Sequence, residues 1–170
     1  MKLRDEILKE HSSAQRDKIV KWIGAYQKRF DELFRLFIND EYRVIQRAAW
    51  PLSYCVQQHP ELIRKHFAKL VKNLHRPGLH DAVKRNTVRI LQDIAIPETL
   101  HGEVMNICFD YITDPKEKAA VKAFSLTVLQ NLSRQYPDIR NEIKTIIEER
   151  WDQESAAFRS RAKKILKELS

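Results

Sequence analysis

The chain has 170 residues and a formal net charge of +8 at pH 7, with 43% hydrophobic and 32% charged residues. These values are typical of a globular protein that is long enough to bury one continuous core. Three glycines and six prolines are too few for the many turns of a β-sandwich or β-barrel, so the composition argues against those folds.

No apolar run approaches the roughly 20 residues that a membrane-spanning helix needs. The segment from Met1 to Glu6 has charges with no apolar stretch behind them, unlike a secretory signal. Cys55 and Cys108 lie far apart in apolar helical patterns, so we expect buried, reduced thiols. These features predict a cytoplasmic protein.

Apolar residues recur at helical spacing along the chain, which predicts an all-α fold of about eight or nine helices. We expect a single domain, residues 1–170. Its predicted units are a divergent pair at 12–40, repeats near 41–77, 79–115 and 116–152, and a terminal helix at 154–169. Helical spacing also favours core packing over a partner-binding stripe for the aromatic residues of the first pair: Trp22, Phe30, Phe34 and Phe37.

Prolines mark the predicted helix starts. Pro60, Pro97 and Pro137 are each followed by an acidic residue, and this order favours the first turn of a helix. Asp114, Pro115 and Glu117 predict a capping box that begins a helix at Pro115. Pro51 instead interrupts an apolar helical pattern, which predicts a kink if the helix continues through it.

The pattern recurs at a fixed period. Val83-Lys84-Arg85 follows Ile45-Gln46-Arg47 at an offset of 38 residues and precedes Val121-Lys122-Ala123 at the same offset. Pro77 and Pro115 are also 38 residues apart. A period of this length is typical of stacked helical repeats.

This pattern resembles the HEAT and armadillo family of α-α repeats over about residues 12–169. The resemblance depends on the repeated helix pair, the proline near each second helix, and the basic residues Arg47, Arg85 and Lys122 in the first helices. It implies a right-handed α-α superhelix, a HEAT-like solenoid of antiparallel helix pairs whose second helices line the concave face. The family's usual mid-helix proline occurs once, at Pro51.

Motifs for catalysis or metal binding are weak. His75 and His80 flank a predicted loop, and His59 and His66 lie on a basic helix where we expect them to face solvent. The chain has no phosphate-binding loop and no nucleophile elbow. We therefore predict no catalytic residue, no metal ligand, no cofactor and no small-molecule substrate.

Charge gives the strongest functional signal. Residues 41–78 carry seven basic and two acidic side chains, whereas residues 79–115 carry three basic and six acidic ones. Lys65, Lys69, Lys72 and Arg76 recur at helical spacing on the predicted second helix of the repeat 41–77, so we expect them to share a single stripe. The predicted binding set consists of that stripe with neighbouring basic residues: Arg64, Lys65, Lys69, Lys72, Arg76, Arg47 and Arg85.

Three functions follow in order of preference. The first is a non-enzymatic scaffold that holds an acidic protein or peptide on this basic surface, without contact to a membrane. The alternative is sequence-independent nucleic-acid binding by the same stripe, although the acidic middle repeat would interrupt a continuous track. A glycosylase like the HEAT-like DNA alkylation repair enzymes ranks third, because no aspartate maps onto their motif. A solvated face that only aids solubility would carry the same charges.

Overall fold

A computed structural model describes residues 1–170. It contains ten α-helices, three short 3-10 helices and no strand, which confirms the all-α prediction with slightly more helices than expected. The 3-10 helices are Pro60–His66, Glu98–Leu100 and Trp151–Gln153. The α-helices are α1 (Leu3–Lys9), α2 (Ser13–Ile23), α3 (Gln27–Asn39), α4 (Tyr42–Gln58), α5 (Phe67–Asn73), α6 (Asp81–Leu91), α7 (His101–Thr113), α8 (Ala119–Ser133), α9 (Ile139–Arg150) and α10 (Ala156–Leu169).

The chain divides into two compact units, Met1–Ile94 and Ala95–Ser170. The division falls inside the predicted repeat 79–115, in the segment between α6 and α7. The single domain inferred from the sequence stays a prediction. No helix in residues 1–170 is both long enough and apolar enough to cross a bilayer.

In the first unit, α3 and α4 pack against each other, and α4 also contacts α1, α2 and α6. The core face of α3 follows from the spacing of Phe30, Phe34 and Phe37, all of which are buried. This confirms the core prediction for the three phenylalanines. Trp22, expected in the core with them, is only half-buried, and the guanidinium of Arg29 lies 4.7 Å from its ring centroid.

The opening pair of helices predicted at 12–40 is in fact preceded by a third helix, α1. Its core contribution consists of Leu3 and Ile7, one turn apart and both buried. Arg47 on α4 donates from Nη1 to the carbonyl oxygen of Leu8 at 2.7 Å, which ties α1 to α4. Two apolar positions are too few to give a detectable helical period, so the sequence pattern missed this helix.

Helix α4 continues through Pro51, which is buried within it. One turn later Cys55 is buried, and Cys108 is buried in α7. Burial raises the pKa of each thiol to about 12. The prediction of buried, unpaired cysteines is confirmed.

The prolines begin helical segments at some of the predicted places. Pro60 is the first residue of a 3-10 helix, and Pro97 directly precedes another. The helix start predicted at Pro115 is wrong. The Oδ1 atom of Asp114 accepts a hydrogen bond from the backbone N–H of Lys116 at 2.8 Å and closes a local turn, and α8 begins only at Ala119.

In the second unit, α8 packs between α7 and α10 and also contacts α9. Lys122 on α8 is 2% exposed, and its Nζ atom lies 2.6 Å from Oε1 of Glu154. Arg150 donates to the same carboxylate from Nε at 2.8 Å. Lys122 lies one residue before the repeat position of Arg47 and Arg85, and it is an internal ion-pair partner of the core.

Candidate functional site

An open groove of about 740 Å³ lies in the first unit, beside the second helix of the first predicted repeat. Its walls are the C-terminal end of α3, the outer side of α5 and the loop that follows α5. We call it the α5 groove, and its lining residues are Ile38, Asn39, Ala68, Lys69, Lys72, Asn73, His75, Arg76 and Pro77. Three of these residues are lysine or arginine and none is acidic, so the groove carries uncompensated positive charge.

Lys69 and Lys72 reach this groove because α5 buries its opposite side. Phe67, Leu70 and Val71 are core residues, so the two lysines between and beside them face outward and are exposed. Neither lysine forms an ion pair or a side-chain hydrogen bond. Both ammonium groups are therefore available to an anion.

Arg76 enters the groove from the loop and is held in one position. Its Nη1 atom donates to the carbonyl oxygen of Ile38 at 3.0 Å and to Oδ1 of Asn73 at 3.2 Å. Both acceptors are neutral, and no carboxylate pairs with this guanidinium. The positive charge of Arg76 is thus fixed in place without being neutralised.

Asn73 forms part of the groove wall although it is only 5% exposed. Because Oδ1 accepts from Arg76, the orientation of the amide is set and Nδ2 is the remaining donor. This Nδ2 atom is buried and has no hydrogen-bond partner. A buried donor without an acceptor is rare in folded proteins and calls for an explanation.

Lys65 belongs to a different environment. Its Nζ atom lies 2.5 Å from Oδ2 of Asp31, and Nε2 of His66 lies 2.6 Å from Oδ1 of the same carboxylate. Burial raises the pKa of Asp31, but hydrogen bonds from Lys65, Gln27 and His66 outweigh burial and lower it to about 2. The positive charge of Lys65 is therefore compensated within the chain.

The stripe expected from one continuous helix is not formed. Residues 60–66 form a 3-10 helix with about three residues per turn, so Lys65 does not align with Lys69 and Lys72 on α5. Arg76 comes from the loop after α5 rather than from the helix. Arg64 is exposed but does not line the groove.

The two predicted basic residues on first helices also lie elsewhere. Arg47 does not line the groove, and its guanidinium donates a hydrogen bond to the carbonyl oxygen of Leu8. Arg85 is exposed on α6 and lines a separate groove of about 390 Å³, together with His11, Trp50 and Arg89. The structure therefore brings together Lys69, Lys72 and Arg76 only.

Sequence reasoning missed the aromatic contacts of two basic residues, His66 and Arg16. His66, expected to face solvent, is 16% exposed and stacks on Phe34 at 4.2 Å between ring centroids, so that expectation is wrong. Arg16 lies 4.5 Å from the ring centroid of Trp50 and 4.0 Å from that of Tyr54. Trp50 is half-buried, with this cation over its ring. No local signal could have paired residues so far apart in the chain.

The predicted loop between His75 and His80 is present, and both side chains are exposed. Nδ1 of His80 accepts from the N–H of Ala82 at 3.1 Å and caps α6. Within residues 1–170, no group of three or more His, Cys, Asp or Glu side chains is arranged to hold a metal ion.

Comparison with known proteins gives a family match over nearly the whole chain. The family model described as HEAT repeat domain matches residues 3–169. No curated protein and no solved structure gives a significant match. HEAT repeat proteins are typically non-catalytic scaffolds. Because the match spans nearly every residue and the fold is entirely helical, this chain belongs to the HEAT repeat domain family.

Proposed function

We propose that this HEAT repeat protein is a non-enzymatic scaffold that binds an acidic peptide or an acidic segment of a protein in the α5 groove. The observation that supports this function is the convergence of Lys69, Lys72 and Arg76 on one groove that has no carboxylate in its lining. Lys69 and Lys72 on α5 and Arg76 from the loop that follows all border the same open groove of about 740 Å³. A site of that shape and charge is complementary to an anionic segment.

The groove also offers apolar surface. Ile38, Ala68 and Pro77 line it, and the aliphatic stems of Lys69 and Lys72 extend this surface toward the rim. Affinity at protein surfaces comes mainly from a few buried anchors, while charges steer the approach and fix orientation. We therefore expect the preferred segment to place an apolar side chain next to acidic residues.

A peptide fits these observations better than nucleic acid does. A nucleic-acid track needs a run of cations that follows successive phosphates. Here the run is short, because Lys65 is neutralised by Asp31 and Arg47 lies outside the groove, bonded to the Leu8 carbonyl. Nucleic-acid binding is the alternative function that the test below distinguishes from peptide binding.

The test uses fluorescence anisotropy with a labelled ten-residue peptide of alternating leucine and glutamate, and with its glutamine counterpart. The double variant K69E/K72E should weaken binding of the acidic peptide at least about tenfold, equivalent to 1.4 kcal/mol, because two attractive charges become repulsive. The matched control is K163E/K164E, which makes the same charge change at two exposed lysines of α10. The control should alter the affinity less than about twofold.

Equal affinities of K69E/K72E and the native chain would contradict the proposal. Labelled duplex DNA and single-stranded RNA are titrated in parallel at several salt concentrations. If nucleic acid binds more tightly than the acidic peptide, with a log–log salt slope near −3 for about three phosphate contacts, the alternative function replaces this one.

We further propose that the protein functions in the cytoplasm. The support for this location is that Cys55 and Cys108 are both free thiols, as expected for a reducing compartment.

A further inference from the structure

One end of the α5 groove carries an unusual combination of polar groups. The guanidinium of Arg76 is fixed through Nη1 by the Ile38 carbonyl at 3.0 Å and the Asn73 amide oxygen at 3.2 Å. That arrangement leaves Nε and Nη2, the two donors along one edge of the guanidinium, without a protein acceptor. Arginine donors in this fork geometry match the two oxygens of a carboxylate.

Asn73 provides a second, independent observation at the same place. Its Nδ2 atom is buried without a partner, although the side chain lines the groove. A swap of the amide would place its N–H group against the donor Nη1 of Arg76, so the present orientation is the only one that satisfies Arg76. Because Nδ2 is covered in the free chain, a small rotation of the Asn73 side chain toward the groove would let an acceptor from outside the chain complete the hydrogen bonding of this donor.

We infer that Arg76 and Asn73 form a carboxylate-binding subsite, which receives one aspartate or glutamate side chain of the peptide bound in the α5 groove. This inference depends on the proposed function and refines it. Lys69 and Lys72 attract the acidic segment from solution, whereas Arg76 and Asn73 select a planar group with two oxygens. The pre-fixed guanidinium lowers the entropic cost of forming these hydrogen bonds.

The number of available donors favours a carboxylate over a phosphoryl group. Nε and Nη2 of Arg76 and Nδ2 of Asn73 are three donors, and they suit the acceptor positions of one carboxylate. A phosphate monoester has three acceptor oxygens and a charge of about −1.5 to −2, so Arg76 and Asn73 would leave part of its acceptor capacity unpaired unless Lys69 or Lys72 also contacted it. We therefore expect glutamate to bind better than phosphoserine at this position.

The deciding variant is Arg76→Lys, which keeps the positive charge and removes the fork. We expect it to weaken binding of the leucine–glutamate peptide about tenfold without changing the salt slope. The matched control is Arg64→Lys, at an exposed arginine outside the groove, which should leave the affinity unchanged. Circular dichroism and thermal unfolding of both variants verify that they are folded.

A measurement on the native chain keeps the inference testable if Arg76→Lys does not fold. The side-chain ¹⁵N–¹H resonances of Asn73 (Nδ2) and Arg76 (Nε) are followed by NMR during titration with the acidic peptide. Both should shift in proportion to peptide saturation, and neither should shift with the glutamine peptide.

Each outcome separates the inference from the proposed function. If K69E/K72E loses binding while Arg76→Lys binds normally and the two resonances do not move, the subsite is wrong and the scaffold function stands. If no acidic peptide binds and no resonance moves, both fail. Tighter binding of a phosphoserine peptide than of the glutamate peptide would overturn the carboxylate assignment.

Discussion

Asp31 shows how one residue sets the charge pattern of its surroundings. Its carboxylate accepts from Lys65, His66 and Gln27, which joins α3 to the 3-10 helix before α5. Lys65 is consequently withdrawn from the basic surface, and His66 is held against Phe34. Because Asp31 neutralises Lys65, the unpaired cations that remain on this surface are Lys69, Lys72 and Arg76 of the α5 groove.

The lowered pKa of Asp31 predicts how the stability of the protein depends on pH. Its folded-state pKa of about 2 lies below the value of about 3.9 in an unfolded chain, so the carboxylate stabilises the fold above pH 5. That contribution, about 1–2 kcal/mol, should disappear as the pH falls from 5 toward 2. Urea unfolding of Asp31→Asn should show lower stability at pH 7 and a weaker dependence on pH across that range.

The control for Asp31→Asn is Asp17→Asn. Asp17 is 61% exposed and pairs on the surface with the adjacent Arg16. Exposed pairs contribute little, so its stability should change by less than about 0.5 kcal/mol. A pH dependence of Asp31→Asn that matches the native chain would show that Asp31 is not the group responsible.

At the scale of elements, the second unit depends on charges buried between helices. Lys122 of α8 and Glu154, which precedes α10, form an ion pair that is almost fully buried, with Arg150 at the end of α9 as a second partner. One carboxylate thereby connects three helices. Such a pair contributes little compared with apolar residues, but the loss of one partner leaves an uncompensated buried charge.

Glu154→Gln should therefore destabilise the protein by about 3–5 kcal/mol, measured by urea unfolding. The double variant K122M/E154Q should recover much of that loss, because no buried charge remains on α8. Glu168→Gln is the surface comparison, since Glu168 is 45% exposed and pairs with the exposed Arg134. It should cost much less than Glu154→Gln, and an equal cost for both glutamates would contradict the buried-charge explanation.

At the scale of the whole molecule, the two cysteines report on the two units separately. Cys55 belongs to Met1–Ile94 and Cys108 to Ala95–Ser170, and burial raises the pKa of each thiol to about 12. Burial of the sulfur and the raised pKa both suppress thiolate chemistry in the folded protein. In native buffer at pH 8, alkylation of each should be at least about a hundredfold slower than in denaturant.

Mass spectrometry of peptides that contain each cysteine, after pulses of alkylation at increasing urea, measures this protection for each unit. Cys55→Ala and Cys108→Ala identify the two signals. Rapid labelling of either cysteine without urea would contradict the burial described for that unit.

Local periodicity determined much of the fold. Apolar spacing of 3.6 residues predicted the helices, and it identified Phe30, Phe34 and Phe37 as core because side chains one turn apart share a face. The offset of 38 residues indicated the repeat architecture. Helix boundaries were less certain, as at Pro115, where a turn closed by Asp114 competed with helix initiation.

Only the tertiary structure decided which basic side chains are free. By itself, the sequence established a basic helical repeat chain in which Lys65, Lys69, Lys72 and Arg76 were equivalent candidates, since periodicity reports a face and not a partner. Lys65 is neutralised by Asp31, 34 residues away, and Arg76 is fixed by a carbonyl 38 residues away. Contacts over such distances depend on how helices pack, so the availability of a charge is a property of the folded chain.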